Sequence, residues 1–247
     1  MQQTLEIVKR CIATSRSRVE FWTALLNAVN ATRLAEIGVF RGDFAAKLLS
    51  ACPAVEQYYL IDPWRHLDDW NKPANRDDDT FAQFYAETLQ KTEFASNKRI
   101  VLRGTTTDVI DEIPDGELDF LYIDGDHTLR GITIDLVRSY TKVRNGGWIG
   151  GDDFCSNIWQ HSAAYEPTLV FPLAVYFAEA VGAQFYALPY KQFLLEKRPQ
   201  AAFTYHDLTG TYQDTSLRSQ FRLRRLWKPK LKEWLPWISQ IAKLRKR

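Results

Sequence analysis

LDFLYIDGDHTLRGITIDLVRSYTKVRNGGWIGGDDF, residues 118–154, decides the fold. A short apolar run, Leu118 to Ile123, stops abruptly at Asp124, Asp126 and His127. A helical pattern follows, with Leu129, Ile132, Leu136, Val137 and Tyr140 on one face. Gly146-Gly147 then introduces a second short apolar run, Trp148 to Gly151, tipped by Asp152-Asp153. Strand, helix, strand, each strand ending in carboxylates, is a βαβ unit. Its acids fall at the carboxyl ends of neighbouring strands, the edge where open α/β sheets bind ligands.

The same grammar repeats upstream. Arg33 to Ile37 is a strand candidate carrying Glu36, followed by the turn Gly38-Val-Phe-Arg-Gly42 and an apolar helix from Phe44. The glycines permit a tight turn and close approach of a ligand to the backbone. The following helix N-terminus favours an anionic or polar ligand. GxGxxG is missing here, and the carboxylate suits a hydroxyl-bearing or cationic ligand better than a pyrophosphate. A second strand, Gln57 to Ile61, ends in Asp62-Pro63-Trp64, where such units hold ribose hydroxyls. Arg99 to Leu102 is the third strand, and Gly104 to Thr107 after it suits the face of a base ring.

Outside this frame the sequence says less. Thr4 to Val29 has the spacing of one or two helices packing on the domain, with nothing chemical in view. Residues 65–80 form a polar insert of the kind that serves as a substrate loop. Asp77-Asp78-Asp79 reads as the charged start of the next helix. Cys155, Trp159, His161 and Tyr165 suit a pocket wall. After a helix from Phe171 to Val181, strands at 184–187 and 192–196 form a hairpin-like ending.

Composition bounds the class. The 247 residues, 45% hydrophobic and 25% charged, describe an ordinary folded chain. No apolar run approaches the ~20 residues of a membrane span, and the N-terminus lacks a signal-peptide pattern. Cys11, Cys52 and Cys155 are too scattered for a disulfide framework or a zinc site, so a cytoplasmic setting is expected. The net charge of +2 hides an asymmetry: from Leu217 onward eleven Lys or Arg face Glu233 alone. That tail, residues 217–247, interleaves three Trp with basic residues, and Pro229 and Pro236 divide it into short helices. It suits peripheral contact with an anionic membrane surface, or packing on the domain or on a second copy in a homo-oligomer. Nucleic acid is less favoured, because no recognition motif accompanies the charge.

The ordered set Glu36-Ile-Gly38-Val-Phe-Arg-Gly42, Asp62-Pro-Trp64, Asp124-Gly-Asp126-His127 and Gly151-Asp152-Asp153 resembles the class I S-adenosylmethionine-dependent methyltransferases. Within them it is most similar to the methyltransferase domain 24 branch, over about residues 33–196. The resemblance implies a doubly wound, Rossmann-like, mostly parallel sheet with an antiparallel last strand. N-terminal helices (residues 1–32) would precede the domain at 33–198, and a basic helical extension (199–247) would follow it. It further implies that Gly38 and Gly42 line the methionine part of S-adenosylmethionine, with Glu36 supporting the loop. Asp62 would hold the ribose, and Thr105 and Thr106 would flank the adenine. In Mg2+-dependent relatives, carboxylates at positions matching Asp124, Asp152 and Asp153 are metal ligands.

The chemistry of these residue types agrees with O-methylation of a small-molecule or sugar hydroxyl. Methyl transfer depends on positioning. A divalent cation would lower the acceptor's pKa, and a nearby base, His127 or Asp126, would take the proton. Two other readings stand beside this one: a nucleotide-dependent oxidoreductase on the same fold, and a non-enzymatic scaffold that docks to membranes or partners.

Overall fold

The computed structural model describes residues 2–161, 164–199 and 201–221. The basic tail beyond residue 221, with its Trp and Pro residues, lies outside the described residues. In chain order the elements are α1 (Gln2–Thr14), α2 (Arg18–Ala28), β1 (Arg33–Ile37), α3 (Asp43–Ala51), β2 (Gln57–Asp62), α4 (Asp78–Lys91), β3 (Arg99–Arg103), α5 (Thr106–Val109) and β4 (Leu118–Ile123). There follow α6 (Leu129–Ser139), β5 (Val143–Gly151), α7 (Val170–Ala180), β6 (Gln184–Leu188), β7 (Gln192–Glu196), β8 (Thr204–Asp207) and α8 (Leu217–Gln220).

The strands make one sheet in the order β3-β2-β1-β4-β5-β7-β6-β8. β3 to β5 are mutually parallel, and β7 runs antiparallel to both of its neighbours, as expected for residues 192–196. β8 adds a strand parallel to β6, so the sheet continues past the boundary expected at residue 198. Residues 204–207 are short, polar and only half-buried, which is why no strand pattern marks them. β5 starts earlier than Trp148, because a register shift against β4 absorbs residues 144–147 around the left-handed Gly146.

Both sheet faces are covered, so the strands read as continuous apolar runs. Alternation sends Ala35, Ile37, Leu121 and Ile123 to one core and Leu34, Phe120 and Tyr122 to the other. Ile132 and Leu136 of α6 cover the first face. The second face is covered by α2 and α3. Trp22 of α2 is fully buried there, 5.1 Å from Phe120 and edge-on to Tyr122. β5 makes room for it with Gly150, where a Cβ would lie 2.3 Å from the indole. The N-terminal helices are therefore packed into the core of the sheet they precede.

Candidate active site

The chain reverses its winding between β1 and β4, and the carboxyl ends of these two strands are joined backbone to backbone. Asp124 N–H donates to Ile37 C=O at 2.8 Å, and on the other side of β1 Gly38 N–H donates to Ile61 C=O of β2 at 2.9 Å. Gly38 takes φ +89°, and a Cβ there would lie 2.2 Å from the Asp124 carbonyl oxygen. Only glycine meets both demands. Gly42, at φ +72°, caps α3 and backs onto Thr88.

Asp62 ends β2 buried beneath this turn. One carboxylate oxygen accepts Phe40 N–H and the other Trp64 N–H, both at 2.8 Å. Phe40 and Trp64 are both held in the left-handed region, with φ 54° and 39°. Strain of this kind persists only where the surroundings over-determine it. Trp64 Nε1 closes the turn on Phe40 C=O at 2.8 Å. Burial raises the Asp62 carboxyl to about 6, with the backbone amides opposing it.

A cavity of about 810 Å³ opens along this edge. Of the expected residues, Gly38, Asp62, Thr105, Thr106, Asp124, Asp126, His127 and Asp153 line it. Glu36, Gly42 and Asp152 stand behind its wall. Glu36 is buried and accepts from Tyr58 OH at 2.9 Å; burial holds its carboxyl well above the usual range despite that bond. Thr105 is tied to Asp108 at 2.8 Å. Thr106 Oγ1 donates to Asp135 Oδ1 at 2.5 Å. Burial pushes Asp135, which also lines the cavity, to about 7.

The far half of the cavity is built on β4 and β5. His127 Nδ1 lies 2.7 Å from Asp153 Oδ2, and Nε2 lies 3.5 Å from Asp124 Oδ1 without hydrogen-bond geometry. Burial would lower the imidazole pKa, but the two carboxylates outweigh it and push it up to about 10. Burial would likewise raise Asp153, yet His127 holds it below the usual carboxylate range. Asp126 accepts from Thr128 N–H at 2.9 Å, Thr128 Oγ1 at 2.9 Å and Trp70 Nε1 at 3.0 Å. The insert after β2 thus folds over the site. Its Lys72, nearly buried, donates to Glu166 C=O at 2.8 Å and Thr168 Oγ1 at 3.2 Å.

The three carboxylates expected to hold Mg2+ share this edge but do not form a coordination set. Arg18, at the start of α2, pairs closely with Asp152 and reaches Asp124 Oδ2 at 3.3 Å. Asp153 is turned to His127 instead. Among the described residues no group of three or more His, Cys, Asp or Glu could hold a metal ion. This arrangement lends the metal expectation no support: the charges it relied on already have cationic partners. Sequence reasoning missed Arg18, Lys72 and Asp135. Lys72 lay in an insert already suspected of facing the substrate, whereas nothing local marked the other two.

A glycine turn after β1, a capped carboxylate after β2 and a cavity at the switch point define a doubly wound enzyme with a nucleoside-bearing cofactor. Residues 35–154 match a family described as methyltransferase domain. The chain carries a class I S-adenosylmethionine-dependent methyltransferase domain. It is 28% identical over 169 residues to the uncharacterized protein y4gI of Sinorhizobium fredii, covering 60% of this chain and only 17% of that protein. Among solved structures, cofactor-bound Rv0187 from MTB superposes with a TM-score of 0.54 at 18% identity, covering 81% of this chain and 89% of that one. A putative caffeoyl-CoA O-methyltransferase from Staphylococcus aureus gives 0.56 at 13% identity, covering 78% and 91%. At these identities the likeness is one of fold. Among the described residues no helix is long and apolar enough to cross a membrane.

Proposed function

We propose that the chain methylates a hydroxyl oxygen of a small molecule or sugar. The observation that carries this reading is the continuity of one cavity from Asp62 and Gly38 to Asp126, His127 and Asp153. The name of the Staphylococcus aureus neighbour, an O-methyltransferase, supports oxygen as the acceptor atom. S-adenosylmethionine, when bound, supplies a sulfonium-activated methyl group and leaves as S-adenosylhomocysteine. Asp62 would hold its ribose hydroxyls, Gly38 would let its amino-acid part approach the backbone, and Thr105 and Thr106 would border the adenine.

On the acceptor side, His127 paired with Asp153 carries a proton at neutral pH, so it is a hydrogen-bond donor rather than a base. Its imidazolium stabilises negative charge developing on the acceptor oxygen. Asp126, on the same wall, takes the hydroxyl proton as the new O–C bond forms and the C–S bond breaks. No step is routed through a metal. Calorimetry with S-adenosylhomocysteine against NAD(H) tests the cofactor. Binding of S-adenosylhomocysteine alone is the expected result, and binding of NAD(H) alone would overturn the reading in favour of an oxidoreductase.

A further inference from the structure

Asp124 and Asp152 end adjacent parallel strands in register, Ile123 beside Gly151, so two negative charges are forced together at one sheet edge. Like charges this close are costly unless a cation lies between them. The chain supplies its own. Arg18 begins α2 after the Ser17 cap, and its Nη1 bridges Asp152 Oδ2 and Asp124 Oδ2. Its guanidinium also lies 5.8 Å from the centre of the Phe44 ring.

The helix bearing Arg18 is anchored to the very group that holds Asp152. Trp22, one turn further along α2, donates from Nε1 to Gln192 Oε1 at 2.8 Å, and Tyr122 OH donates to the same oxygen at 2.7 Å. Gln192 Nε2 in turn donates to Asp152 Oδ1 at 2.6 Å. Asp152 Oδ1 also accepts Asp153 N–H at 2.7 Å. Asp153 spends its two oxygens on His127 and on Gln160 Nε2, the latter at 2.6 Å. A hard divalent cation takes about six oxygen ligands, waters among them, and needs carboxylate oxygens free to face it. Here the carboxylates face N–H donors, and an arginine cannot give up its charge to make way.

We propose that Arg18 is the built-in cation of the acceptor half of this site, a positioning residue that replaces a divalent ion. It fixes Asp124 and Asp152 and so shapes the wall that Asp126 and His127 share. The inference rests on the methyltransferase reading, but its test does not use turnover.

The test is Mn2+ titration of the full chain with S-adenosylhomocysteine present, followed by electron paramagnetic resonance. The wild-type chain and Arg18→Lys are expected to bind no stoichiometric Mn2+. Arg18→Ala, with the carboxylates unpaired, is expected to bind one Mn2+ per chain at least about tenfold more tightly than wild type. Stoichiometric Mn2+ binding by the wild-type chain overturns the proposal, whatever Arg18→Ala does. So does folded Arg18→Ala that binds no Mn2+, or Arg18→Lys that binds it as Arg18→Ala does. Binding of S-adenosylhomocysteine by the unaltered chain judges the methyltransferase reading separately, so the two ideas fail in different measurements.

Discussion

The two halves of the cavity are built by different means. On the cofactor side, Gly38 and Asp62 are held by the backbone of their own turns: Asp62 takes Phe40 and Trp64 amides at 2.8 Å, and Gly38 abuts the Asp124 carbonyl. On the acceptor side, Asp124, Asp152, Asp153 and His127 are held by charged side chains, one of them from 106 residues away. Backbone scaffolding tolerates no added atom. Charge scaffolding tolerates changes in size but follows protonation. The contrast teaches where each half is vulnerable.

The largest effect is expected from Gly38→Ala. The new Cβ would meet the Asp124 carbonyl in a left-handed backbone, with an expected loss of ~3 kcal/mol or more and of cofactor binding. Thermal unfolding and titration with S-adenosylhomocysteine measure both; wild-type affinity in this variant would break the idea of a sterically fixed cofactor half. Next comes Asp62→Ala, which removes charge-assisted bonds to the ribose worth about 1.5–3 kcal/mol, or about 10- to 150-fold in affinity. The same titration reads it, and unchanged affinity contradicts the ribose role.

Asp153→Asn sharpens the other side. Turnover should hold from neutral pH until His127 loses its proton near about 10, then fall. Without the Asp153 charge the imidazole moves toward its ordinary value of about 6.5, and the fall should begin at lower pH. A rate that instead rises with pH toward about 10 would make His127 the base and displace Asp126. The same pair also bears on stability. A histidine whose pKa is raised by folding contributes fully below its unfolded value and loses that contribution as pH rises through its folded one. The denaturation midpoints of wild type and Asp153→Asn should therefore differ most near about pH 6 and converge as pH passes about 10. A constant difference across that range would separate the pair from proton uptake.

What was legible follows the same division. The parallel sheet, the glycine turn and Asp62 are written in contiguous residues, because strand runs and turn chemistry are local. His127 and the carboxylates at the ends of β4 and β5 were visible for the same reason. Their partnerships were not. In α2, Arg18 is only a charged residue beside an apolar stripe, and no spacing links it to Asp124 or Asp152 across the sheet. The expectation of a metal came from the match of these acids to ligand positions in Mg2+-dependent relatives, and position along the chain does not tell which cation tertiary packing brings. Asp135 was hidden similarly: its burial against Thr106 depends on how α5 meets α6.

The contact between Trp22 and Gly150 bears on how the protein can be cut. The family match begins at residue 35, and a fragment started there would look complete by sequence. It would uncover a glycine notch in β5 and the rings of Phe120 and Tyr122, an apolar patch prone to aggregation. It would also leave Asp124 and Asp152 facing each other without their guanidinium. The smallest fragment able to stand alone therefore starts upstream of Arg18.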